Sequence, residues 1–149
     1  MYYTCYTSIA NNNLDEKQIL DILNSARKNN IVNGITGMLL YIDDNFIQII
    51  EGNKEDVNNL YQKIINDDRH LGVKIISQGN IKERFFPNWV MGFKVLTKYD
   101  LEEMVNLNGV GYFTIEDLLN KSKPHIAIEF LKSFYKNGEL DFLKFWKGQ

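Results

Sequence analysis

Two stretches with helical hydrophobic spacing, each set between short apolar runs of strand length, constrain this chain more than any other feature. Met1 to Ala10 (MYYTCYTSIA) is aromatic and β-branched and predicts a strand, broken by Asn11, Asn12 and Asn13. Asn13 followed three places on by Glu16 has the form of a capping box. Ile19, Ile22, Leu23 and Ala26 then recur at helical spacing, which predicts a helix near residues 14 to 28 closed by Asn29 and Asn30. Gly34 and Gly37 flank the start of a second strand, Met38 to Ile42. Asp43, Asp44 and Asn45 predict a tight turn, with Phe46 to Ile50 as the hairpin partner. Glu51, Gly52 and Asn53 break the pattern, and Asn53 is placed to cap a second helix with a stripe of Val57, Leu60, Tyr61 and Ile64. Val73 to Ser77 and Trp89 to Leu96 predict a fourth and a fifth strand. The order β-α-β-β-α-β-β is that of an α+β, ferredoxin-like sheet with two helices on one face.

Such a sheet leaves its other face in need of cover, and residues 101 to 149 read as helix-rich. Ser122 and Pro124 predict the start of a helix whose Ala127, Phe130, Leu131 and Phe134 form one stripe, stopped by Asn137-Gly138. Leu140, Phe142, Leu143, Phe145 and Trp146 make a last apolar segment. The 149 residues, 44% apolar, suffice for one globular domain with a small appended element. A net charge of −2 with dispersed Lys and Arg gives no electrostatic case for nucleic acid or an anionic membrane. No signal peptide and no apolar run near the ~18 residues of a membrane span is found, so a cytoplasmic setting is expected. Cys5 is the sole cysteine, which excludes an internal disulfide and argues against a cysteine-ligated metal site.

Strand parity draws attention to Tyr6 and Gln48. If the first strand pairs with the hairpin strand, both side chains can face the layer between sheet and helices. A glutamine among Phe46, Ile47, Ile49 and Ile50 is a buried amide that costs about 1–3 kcal/mol if unpaired. It either pairs with a neighbouring backbone group or a Tyr hydroxyl, or contacts a bound heteroaromatic ligand, and pattern alone leaves both open. Asn29 and Asn30 are amides that suit the edge of a flavin or nucleobase, or they simply punctuate a helix end. Trp89 and Met91 share parity on the expected last strand and so are expected on one face. Asp67, Asp68, Arg69 and His70 read as a solvated turn. His70 and His125 have no acidic partner at metal-ligand spacing, and no phosphate-cradling glycine loop or nucleophile–base pattern appears.

Taken in order, these residues resemble the BLUF domain, the blue-light sensors that use FAD. The resemblance runs from Tyr2 to Phe93: Tyr6-Thr7-Ser8, Arg27-Lys28-Asn29-Asn30, Asn33-Gly34-Ile35-Thr36-Gly37, Phe46 to Gly52, Asp67-Asp68-Arg69-His70 and Trp89 to Phe93. It implies a flavin ring held between the two helices, with Asn30 and Asn29 at its pyrimidine edge and Ile22 and Ile64 on its faces. Gln48 would bridge Tyr6 and the flavin, Ser8 would join the same network, and Trp89 and Met91 would exchange exposure. Lys63, Asp67, Arg69 and His70 would lie toward the ribityl and phosphate groups. FAD is the expected cofactor, with FMN or riboflavin as substitutes. Cys5, one residue from Tyr6, is expected to point the opposite way into core.

The resemblance further implies a flavin-binding domain over residues 1–98 and a helical output extension over 99–149. A homo-oligomer and a downstream signalling protein are the expected partners, with no nucleic acid, membrane or metal, and no enzyme activity. The alternatives are a flavin-dependent redox protein and a flavin-free interaction module on the same fold. An acylphosphatase-like enzyme would need an arginine-bearing loop after the first strand, where Ser8 to Asn13 stand instead.

Overall fold

The computed structural model describes residues 1–11, 14–101, 114–133 and 135. Its elements are β1 (Tyr2–Ala10), α1 (Glu16–Asn33), β2 (Thr36–Ile42), β3 (Asn45–Gly52), α2 (Lys54–Ile65), β4 (His70–Asn80) and β5 (Gly92–Leu96), then α3 (Ile115–Leu118) and α4 (Pro124–Lys132). The five strands form one sheet in the order β4-β1-β3-β2-β5. Antiparallel β1–β3, β1–β4 and β2–β3 ladders make the ferredoxin-like core, and β5 joins β2 in parallel. The expected α+β architecture is therefore the observed one.

Alternation along each strand divides the core into two layers. Leu39, Tyr41, Phe46 and Ile50 face α1 and α2 with Ile19, Ile22, Leu23 and Val57. Cys5, Met38, Leu40, Ile42, Ile47 and Ile49 face the other way, where Leu118, Ala127, Phe130 and Leu131 cover them. Helices α3 and α4 thus cover this face, and Cys5 lies on the opposite side of the sheet from α1 and α2, as expected.

Several boundaries differ from expectation. Helix α1 is capped by a capping box of Asp15 and Gln18, not by Asn13 and Glu16, and Asn13 itself lies outside the described residues. It runs on past Asn29 and Asn30 to Asn33, because the left-handed stop is Gly34 (φ +64°), whose N–H bonds the Asn30 carbonyl. The hairpin turn is the pair Asp43–Asp44, both at positive φ (45° and 65°), and Asn45 already belongs to β3. Glu51 and Gly52, expected to break the pattern, are buried residues of β3. Strand β4 is longer than Val73 to Ser77 at both ends. Strand β5 begins only at Gly92, so Trp89 and Met91 lie before it. Helix α4 starts with Pro124 at its first turn, its cap position Lys123 making no side-chain capping bond. The Ser122 N–H instead donates to Asn120 Oδ1. Phe134, Asn137-Gly138 and the apolar residues Leu140, Phe142, Leu143, Phe145 and Trp146 lie outside the described residues. Among the described residues no helix is long and apolar enough to cross a membrane.

One glycine is demanded by close approach. A Cβ at Gly37 of β2 would stand 2.0 Å from the Ile49 carbonyl oxygen of β3. Gly37→Ala is therefore expected to cost about 3 kcal/mol, since backbone on both sides must shift. Urea unfolding of the variant measures this, and a loss below about 1 kcal/mol would show that the ladder yields there more easily than its geometry indicates.

Candidate functional site

Tyr6 and Gln48 are direct cross-strand partners in the β1–β3 ladder, and their parity turns both toward α1 and α2. The Tyr6 hydroxyl donates to Gln48 Oε1. Gln48 Nε2 in turn donates to Met91 Sδ at 3.2 Å. All three residues are buried, so both halves of the amide are satisfied without water. Burial holds the Tyr6 hydroxyl far above its ordinary range, with Cys5, Tyr61 and Asp67 adding to the shift, and keeps it a neutral donor. Burial likewise pushes the Cys5 thiol up to about 12.

Around this pair stand further polar groups. The Ser8 hydroxyl lies 2.8 Å from His70 Nδ1, so the partner of Ser8 is His70 and not Gln48. The His70 ring packs 4.8 Å from Phe46 and 6.4 Å from Tyr6, and His70 is buried, not in the solvated turn that the sequence suggests. Tyr61 of α2 meets the Tyr6 ring edge-on at 5.8 Å. Asp67 and Arg69 pair with each other at 2.6 Å, which lowers the carboxyl below its usual range.

Asn30, on the inner side of α1, is 1% exposed. Its Nδ2 donates to the Val90 carbonyl at 2.9 Å, while its Oδ1 is buried and finds no donor among the described residues. A buried acceptor left open in this layer fits a ligand that offers an N–H, as the pyrimidine edge of a flavin does. Asn29 is exposed and, with Asn33, Asp56, Asn59, Leu60 and Lys63, lines a cleft between α1 and α2. Ile22 is buried in the helix-side layer and Ile64 packs against it.

Trp89 and Met91 do not share a face. Met91 belongs to the helix-side layer beside Gln48, whereas Trp89 lies in the tail-side layer. The cause is a turn in which the Trp89 N–H bonds the Phe86 carbonyl and the Trp89 carbonyl accepts from Gly37, so strand alternation does not apply before Gly92. Two residues without an assigned role contribute here. Arg27 donates from Nε and Nη2 to the Met91 carbonyl at 3.2 and 3.1 Å, and Tyr61 flanks Tyr6. Tyr61 is legible only as one member of the α2 apolar stripe, and Arg27 as part of a helix-end motif. Among the described residues no group of three or more His, Cys, Asp or Glu could hold a metal ion.

Burial lowers the pKa of His70 below its ordinary value, Arg69 adding to this and Asp67 opposing it. The native state therefore favours neutral His70. Its contribution to stability is complete above the unfolded value of about 6.5 and is lost as pH falls through the lower folded value. Melting temperature is expected to drop as pH falls below about 6.5. The drop should be smaller in His70→Gln, and equal drops in the two proteins would remove His70 as its source.

Comparison with known proteins agrees with this geometry. Residues 1–92 match the family described as "BLUF: Sensors of blue-light using FAD". The ground-state structure of BlsA is 34% identical with a TM-score of 0.72, over 88% of this chain and 87% of that one. The dark-state structure of BlrB, a BLUF protein, is 26% identical with a TM-score of 0.62, over 83% and 96%. Photoactivated adenylate cyclase subunit beta of Euglena longa is 36% identical over 87 residues, 58% of this chain, which spans only 10% of that relative's length. Matched over more than half its length, with the Tyr6–Gln48 pair and Asn30 inside the matched region, the chain belongs to the BLUF family of blue-light sensors.

Proposed function

We propose that this chain is a blue-light receptor, and not an enzyme, that binds FAD non-covalently between the helices and the sheet. The buried Tyr6–Gln48–Met91 chain of hydrogen bonds carries the reading. A Tyr and a Gln facing each other in an apolar layer are a costly way to build a core, and stability alone does not call for them. The open Oδ1 of Asn30 adds a place for a ring N–H. In this reading Asn30, with Asn29 beside it, holds the pyrimidine edge, and Ile22 and Ile64 flank the ring. Lys63 and Arg69 supply positive charge toward the phosphates. Asp67 fixes the Arg69 guanidinium, and His70 closes the base of the site through Ser8. Because the contacts fall on the ring, FMN or riboflavin would substitute for FAD.

A bound flavin supplies a ring that absorbs blue light and becomes a strong oxidant when excited. Tyr6 would be the residue that gives an electron to the excited ring, its phenol proton leaving along the hydrogen bond to Gln48 Oε1. When electron and proton return to Tyr6, Gln48 is left rotated or tautomerised. A rotated amide presents Oε1 to Met91 Sδ in place of Nε2, so Met91 loses the donor that held it. The displaced Met91 moves the segment before β5, and Trp89, on the other face, passes the change to the tail. Residues 1–98 are thus the sensing unit and 99–149 the output unit, acting through homo-oligomers and a downstream protein partner.

The absorption spectrum of the purified chain, before and after blue light, tests this. A yellow protein with a small, reversible red shift is expected, and Gln48→Leu and Tyr6→Phe should retain colour and lose the shift. A colourless chain that cannot be reconstituted with FAD would leave a flavin-free interaction module. Bleaching without a red shift would mark a redox flavoprotein. Asn30→Ala is expected to weaken flavin binding about tenfold, the loss of one hydrogen bond to a buried partner, measured by flavin titration. Unchanged affinity would remove Asn30 from the site.

A further inference from the structure

Glu51 is the one carboxylate among the described residues that is completely buried, and the photochemistry proposed above does not use it. It closes β3 three residues beyond Gln48, on the tail side of the sheet. Its Oε2 accepts the Phe85 N–H at 2.7 Å, and its Oε1 accepts the Phe86 N–H at 2.7 Å and the Thr36 hydroxyl at 2.9 Å. Arg84 backs this arrangement, donating to Thr36 Oγ1, to the Glu51 carbonyl and to the Gly34 carbonyl at the end of α1. Burial raises the Glu51 pKa, while these donors and Arg84 pull it the other way.

The two anchored amides belong to residues that meet the tail. Phe86 stacks on Trp89 at 5.9 Å and meets Tyr135 edge-on at 5.8 Å. Trp89 itself lies 4.8 Å from Tyr135, and Lys132 of α4 sits 5.2 Å over the Phe85 ring. At its far end the same segment reaches Met91, beside Gln48. The stretch from 84 to 91 is thus tied to β3 at one end by a buried carboxylate and touches the light-sensitive amide at the other.

We propose that Glu51 is a positioning residue for signal output, fixing the Phe85–Phe86 backbone as the pivot about which displacement at Met91 becomes displacement of Trp89 and α4. This rests on the receptor reading above. A segment free at both ends would absorb the motion of Met91 locally. Held at Phe85 and Phe86, it must pass that motion to the aromatic contacts with the tail.

The test uses the full-length chain with its flavin and measures two quantities on each sample: the red shift, and amide hydrogen exchange in residues 124–132 in darkness and under blue light. Wild type is expected to show both the shift and a light-dependent change in exchange. Glu51→Gln keeps the side chain's shape but turns N–H donors toward the Phe85 N–H. It is expected to keep the red shift while the light-dependent change in exchange falls at least about five-fold. Should that variant fail to fold, Glu51→Asp, which keeps the charge but draws the carboxylate back from the Phe85 and Phe86 N–H groups, is expected to show the same split. A variant that keeps both quantities, or loses both together, overturns the inference. A wild type that shifts without any change in 124–132 overturns it as well. A wild type with no red shift sinks the receptor reading itself, an outcome the first measurement identifies separately.

Discussion

The amide of Gln48 has four hydrogen-bonding sites and lies buried in the layer between sheet and helices, and much of the surrounding architecture follows from that constraint. An unmet buried amide costs about 1–3 kcal/mol, a large part of a net stability that is only about 5–15 kcal/mol for a domain. The β1–β3 register meets the acceptor side by placing Tyr6 directly opposite, and the segment before β5 meets the donor side with a thioether. A sulfur acceptor is weak and its side chain adaptable. The two ends of the amide are therefore held with unequal strength, which suits the change of partners proposed for it. A backbone carbonyl in place of Met91 Sδ would hold the amide more firmly and make the rearrangement harder.

The segment from 81 to 91 is the other demanding part of the structure. It has no regular secondary structure, yet it buries Phe86, Trp89 and Met91. Irregular backbone taken out of water needs a partner for each polar group. Those partners come from every element nearby: Glu51 for Phe85 and Phe86, Gly37 for Trp89, Asn30 for Val90 and Arg27 for Met91. Three of these donors and acceptors are side chains that must reach across from α1 or β3. The same segment consequently reports on both sheet faces, with Met91 on one and Trp89 on the other. Asn30 serves it with one atom only, which leaves Oδ1 for another partner.

The fold was legible because its signals are periodic. The stripes at Ile19, Ile22 and Leu23 and at Val57 and Leu60 could belong only to helices, and Asp43–Asp44 between two apolar runs could only turn. Parity indicated only that Tyr6 and Gln48 can face one layer; their link was implied by the family resemblance, and the β1–β3 register sets them opposite each other. Where periodicity ended, legibility ended with it. Trp89 and Met91 are two residues apart, but the Phe86–Trp89 turn cancels the alternation that would have put them together. His70, beside three charged or polar neighbours, gave no sign of its burial, because the Ser8 hydroxyl that satisfies it lies 62 residues away in sequence. The role of Glu51 was hidden for a similar reason: nothing local distinguishes a carboxylate that ends a strand in solvent from one that receives two distant backbone amides.

The cross-strand position of Tyr6 and Gln48 has a consequence for how such a chain can vary over evolutionary time. Side chains in a strand repeat every two residues, so a slip of one place in the β1–β3 ladder would set Ile47 or Ile49 against Tyr6 and turn Gln48 to the tail side. No adjustment of rotamers could restore the pair. Residues gained or lost inside β1 or β3 are thus ruinous. The same change in the connection between α1 and β2, or beyond β5, leaves the ladder untouched. The chain can accordingly vary the length of such connections while the Tyr6–Gln48 pairing is kept.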